Sequence, residues 1–154
     1  MWKYVNEKEA GNTMDIKQAI ALLQEENKTL ILYHGEEILS YTTRGVSPLT
    51  ELYENKKDCS SFVAVDKVVG RGAAFMYLLL GIKRIHALVI SEPALELLKK
   101  NQIEITYDKL VPFIQNRTRD GFCPMESATL SCENPLDAYD KIKRKQAQLA
   151  QNKN

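Results

Sequence analysis

A chain of 154 residues with 44% apolar and 27% charged side chains is one domain's worth of sequence, long enough to bury a core without staples. Twenty-one basic residues against twenty acidic ones leave a net charge of +1, which removes the electrostatic case for nucleic acid or an anionic membrane as partner. The longest apolar run, Ala73 to Leu80, is well short of a bilayer span, and three cysteines, an odd count, point to a reducing, cytoplasmic setting.

Residues 1–13 are polar, without period and without the apolar stretch of a signal peptide, and read as a flexible arm. From Asp15, a helix cap, Ile16, Ala19, Ile20, Leu22 and Leu23 recur at helical spacing. Thr29 to His34 and Glu37 to Thr43, joined through Gly35, read as an antiparallel hairpin. Gly45 ends it, and Ser47 with Pro48 predicts a helix start, Ser47 capping. A strand over Ser61 to Asp66, a helix over Val69 to Leu80 stopped by Gly81, and a strand over Arg84 to Ile90 make a βαβ unit with a right-handed crossover. Ser91-Glu92-Pro93 opens a further helix through Leu98, and Ile103 to Tyr107 is a short edge strand.

Beyond Asp108 the pattern loosens until Pro135, which precedes a charged amphipathic helix read as solvated. The expected architecture is α/β, a three-layer α/β/α sandwich on a mixed sheet of about five strands. One domain covers 14–136, with 137–154 a charged helix or tail. The hairpin edge and the Ile103–Tyr107 edge leave a homo-oligomer open.

The turn carrying Asp66, Lys67, Gly70, Arg71 and Gly72 lies beyond a strand's carboxyl end at a helix start, where ligands and anions bind in open α/β sheets. Its glycines permit close backbone approach, and Lys67 and Arg71 can neutralise a phosphate or carboxylate. The spacing is neither a dinucleotide fingerprint nor a phosphate loop. The competing reading is that the glycines serve tight packing.

In Arg117-Thr-Arg-Asp-Gly-Phe-Cys-Pro-Met-Glu126, Cys123 is a candidate low-pKa nucleophile, with inert core filler as the alternative. Arg117 and Arg119 equally suit a structural pairing with Glu126 or Asp120. His86 falls inside a buried strand and reads as a hydrogen-bonded core residue. His34-Gly35-Glu36 spells the H-x-E of zinc deaminases, but it sits in a hairpin turn, and no two cysteines are three apart. Neither metal nor cofactor is expected.

Three blocks, VAVDKVVGRGAAF (Val63 to Phe75), VISEPALELL (Val89 to Leu98) and NRTRDGFCPME (Asn116 to Glu126), resemble DUF1893, a bacterial and archaeal family of uncharacterised proteins. The resemblance covers roughly Asp15 to Glu126 and implies a cytidine deaminase-like fold. It also implies that the zinc chemistry is absent, because the helix starts near Ser47 and Val69 hold neither histidine nor cysteine.

The function this implies is binding of a nucleotide-like or other small anionic ligand in a metal-free crevice. Asp66, Lys67, Cys123 and Glu126 are the catalytic candidates, and Gly70, Arg71, Gly72, Ser91, Glu92 and Arg117 the ligand-binding ones. In that scheme Asp66 bonds ribose or a base edge, and the Cys123 loop closes over the ligand. The alternative is a non-catalytic sensing or protein-interaction module.

Overall fold

A computed structural model describes residues 14–115, 121 and 123–152. In chain order the elements are α1 (Ile16–Glu25), β1 (Leu30–His34), β2 (Glu37–Tyr41), α2 (Ser47–Glu54), β3 (Val63–Val69), α3 (Arg71–Leu80), β4 (Arg84–Ser91), α4 (Glu92–Lys100), β5 (Glu104–Val111), α5 (Pro124–Thr129) and α6 (Pro135–Asn152). The strands form one open sheet in the order β2-β1-β3-β4-β5. β1 is antiparallel to both its neighbours, and β3, β4 and β5 are parallel. The hairpin and βαβ unit read from the sequence are both present.

Both crossovers step the same way across the sheet, so a shared hand puts α3 and α4 on one face. There Leu32, Ala64, Ile85, Ala87 and Ile90 meet Leu49 of α2, Phe75 and Met76 of α3, Leu98 of α4 and Ile142 of α6. On the other face, Ala19 and Leu23 of α1 pack on Ile31, Tyr33 and Val65. α1 is set by a capping box: the Gln18 amide donates to Asp15 at 2.8 Å, and the Asp15 amide donates to the Gln18 side chain at 2.9 Å.

The central strands are not regular. Ala64 and Val69, five apart, enter the same core, as do Ala87 and Ile90, three apart. A regular pleat sends odd separations to opposite faces. The pleat therefore slips by one residue in both strands, where the register passes from Asp66↔Ala87 to Val68↔Val89.

Several expected boundaries move. β3 continues to Val69, because Val68 and Val69 find ladder partners in Val89 and Ile90, and α3 opens at Arg71. Asp66 and Lys67 consequently lie in the strand and not in the turn. α2 is capped by the backbone at Val46, not by the Ser47 side chain. β5 runs to Val111 along β4, longer than the expected edge strand. α5, within a stretch read as irregular, is a short helix. α6 is not a solvated tail: Ala138 and Ile142 are fully buried in the main core.

Candidate functional site

The first turn of a helix exposes backbone N–H groups without intrahelical partners, and its dipole favours negative charge there. At α3 this demand is unmet locally, since Gly70, the N-cap, has no side chain to offer. It is met from far along the chain. The Glu126 carboxylate, 1% exposed, accepts the Arg71 amide at 2.8 Å and the Ser91 hydroxyl at 2.5 Å on Oε1, and the Ile114 amide at 2.5 Å on Oε2. Ser91 is itself the N-cap of α4 and accepts the Ala94 amide at 3.2 Å. One carboxylate thus joins the starts of two parallel helices just beyond the ends of β3 and β4.

Arg71 locks the same junction through its side chain. Its guanidinium donates to the carbonyls of Thr129 and Cys132 at 2.9 Å each and of Pro93 at 3.3 Å, and it lies over the Phe75 ring at 5.1 Å. This gathers the carboxyl end of α5 and the first turn of α4 onto α3. A Cβ at Gly70 would meet Ile114 Cγ1 at 3.1 Å and Glu126 Oε1 at 3.2 Å, and one at Gly72 would meet Met125 Cβ at 3.3 Å. The glycines therefore admit α5 and the segment after β5, and the approaching carboxylate is the protein's own.

Gly70, Arg71, Gly72, Ser91 and Glu126 accordingly converge. Cys123, the partly buried N-cap residue of α5, sits at the edge of this cluster, where its amide donates to the Ile114 carbonyl at 2.8 Å. Glu92 is exposed in the first turn of α4, where its charge suits the dipole. Lys67 is exposed near the end of β3. Arg117, with Arg119 and Asp120, lies outside the described residues.

Asp66 stands apart from the cluster. It lies under α3, where Tyr77 donates to Oδ2 at 2.5 Å and the Val68 amide to Oδ1 at 3.3 Å. Burial raises its pKa to about 7, against the opposing pull of those hydrogen bonds and of the Lys67 amide. Burial, together with the Asp66 charge, raises the Tyr77 phenol well above its ordinary range. Tyr77 escaped the sequence reading, although a tyrosine inside the apolar run AAFMYLLL signals a buried partner for its hydroxyl.

A zinc site of the deaminase kind does not fit this donor set. The starts of α2 and α3 present Val46, Ser47, Gly70 and Arg71. His34 packs against the Phe62 ring at 5.7 Å. Among the described residues, no group of three His, Cys, Asp or Glu side chains is placed to hold a metal.

Among curated proteins none matches the chain. The crystal structure of a DUF1893 family protein (TM1506) from Thermotoga maritima is similar, with 29% identity, a TM-score of 0.76, and coverage of 84% of this chain and 88% of that one. The family profile described as "Domain of unknown function (DUF1893)" matches residues 18–145. With the profile spanning most of the sequence, the chain belongs to the DUF1893 family.

Proposed function

We propose that the chain is a metal-free binding protein for a small anion of nucleotide-like chemistry, seated between the starts of α3 and α4. The observation that carries this reading is the environment of Glu126. Amides from two segments and one hydroxyl surround a buried negative charge, as they would a bound phosphate or carboxylate. The ligand's anion takes the place of this internal carboxylate, and α5 moves aside. Lys67 and Glu92, both exposed, meet the remainder of the ligand.

If the ligand is turned over, Cys123 is the nucleophile, and Glu126, within one helical turn of it and freed from the cradle, is the base at hand. Asp66 with Lys67 is the weaker acid–base pair, because Asp66 is engaged by Tyr77 beneath α3. The strand order β2-β1-β3-β4-β5 supports a cytidine deaminase-like reading of the fold. Three free cysteines, two of them buried, suit a reducing, cytoplasmic setting.

Thermal unfolding with inorganic phosphate and with nucleoside monophosphates tests the proposal, on the native chain and on Glu126→Ala. Native protein should be stabilised at millimolar ligand, and the alanine variant, its cradle vacated, more strongly. A response confined to Glu126→Ala makes the cradle a purely internal anchor and ends the ligand reading. So does no response in either protein.

A further inference from the structure

On the sheet face covered by α1, β4 and β5 bring together a second set of reactive side chains, remote in register from the Glu126 cluster. His86 pairs with Val65 on one side and Thr106 on the other. Because Val65 belongs to the core beneath α1, this row of the ladder faces that side. His86 Nδ1 lies 2.7 Å from Thr106 Oγ1, and Nε2 lies 3.1 Å from Asp108 Oδ1.

We propose that Thr106, His86 and Asp108 are a second, catalytic site, a hydroxyl–imidazole–carboxylate relay that cleaves small carboxylic esters. A carboxylate can only accept, so Asp108 holds the imidazole proton on Nε2. The lone pair on Nδ1 is then left facing the Thr106 hydroxyl, which donates to it. Nucleophile, base and orienting acid stand in the order that acyl transfer requires, with the two ring nitrogens exchanged relative to the serine protease arrangement.

Exposure is distributed to match these roles. The His86 side chain is 10% exposed and held in place, whereas Thr106 is exposed and the Asp108 side chain is 56% accessible. Leu88, two residues along β4 and partly buried at the margin of the α1-side core, offers apolar surface to a short acyl chain. Among the described residues β5 is the edge strand of the sheet, so its outward amides have no strand partner there and can serve a developing oxyanion.

In the first half-reaction, Thr106 Oγ bonds to the carbonyl carbon and its proton passes to His86. The ester C–O bond breaks, and the leaving alcohol takes that proton. In the second, water gives a proton to His86 and attacks the acyl-threonine. The acyl–threonine bond breaks, a carboxylic acid leaves, and Thr106 regains its proton.

A fluorophosphonate probe on the full chain, with the adduct located by peptide mass mapping, tests the site. Thr106 Oγ bonds to phosphorus and fluoride leaves, so the adduct reports an activated hydroxyl and not a structural hydrogen bond. One adduct per chain is expected at Thr106, none in Thr106→Val, and labelling at least ~10-fold slower in Asp108→Asn, with loss of the orienting acid. Both substitutions are at exposed positions, and unchanged melting temperatures check that the fold survives. Native protein without an adduct at Thr106, or Asp108→Asn labelled at the native rate, overturns the proposal.

Discussion

Asp66 and Tyr77 form a buried pair whose energetics depend on one proton. Burial favours the neutral acid and raises the folded-state pKa from 3.8 to about 7, so the native chain holds that proton more tightly than the unfolded one. The stability this confers is complete below the unfolded pKa, is lost as pH rises through the folded value, and is flat above it. At ~1.4 kcal/mol per unit, the loss across that window is on the order of 4 kcal/mol. Asp66→Asn keeps an oxygen to accept the Tyr77 hydroxyl and carries no charge at any pH. Urea denaturation should therefore find it more stable than the native protein by a few kcal/mol at about pH 9, with the advantage gone at about pH 4. A difference that does not change with pH would mean that Asp66 is not the titrating group.

At the level of elements, the start of α3 shows how one glycine serves a distant helix. Gly70 has φ −99° and ψ −177°, an extended conformation open to any residue, so an alanine there carries no backbone penalty. Its cost is steric, since the new methyl would press on Ile114 and on a carboxylate pinned by three hydrogen bonds. Gly70→Ala should lower stability by about 1–2 kcal/mol in chemical denaturation, the usual range for overpacking. No loss would mean that α5 yields freely. The same junction marks where local pattern stops informing. α1, the hairpin, the Gly81 stop and the Ser91 cap were legible because each is decided within a few residues. The β3–α3 boundary was not, because Val68 and Val69 fit a strand or a helix equally, and their partners in β4 decided it. Gly70, Arg71, Ser91 and Glu126 could be selected as residues at helix starts or near a charged loop. That Glu126 would itself occupy the anion's place depends on contacts that reach 12, 35 and 55 residues along the chain, which no local pattern encodes. α5, six residues long, has too little period to be seen.

For the molecule as a whole, the sheet separates two cores of unequal size, and the larger is closed by the last helix. The composition of α6 reads as charged and solvated because apolar residues occupy few of its positions, but those few are well placed. Ile142 reaches α3, with Cδ1 3.7 Å from where a Gly72 Cβ would stand. Tyr139 packs edge-on against Tyr53 of α2 at 5.0 Å and donates to Glu54 at 2.6 Å, and Lys143 pairs with Glu54 at 2.9 Å. The helix thereby bridges α2 and α3 and backs α5, the element that carries Glu126. Its exposed ion pairs contribute little in water, so its attachment rests on the buried residues. Ile142→Ala empties a fully buried site and should cost about 2–4 kcal/mol in urea denaturation, with unchanged cooperativity. Leu136→Ala, at a position on the same helix that is 62% exposed, should stay within ~0.5 kcal/mol of the native chain. Equal effects at the two positions would contradict the asymmetry that makes α6 part of the core. A smaller, earlier transition appearing in Ile142→Ala would instead show α6 unfolding ahead of the sheet, as a unit with its own local stability.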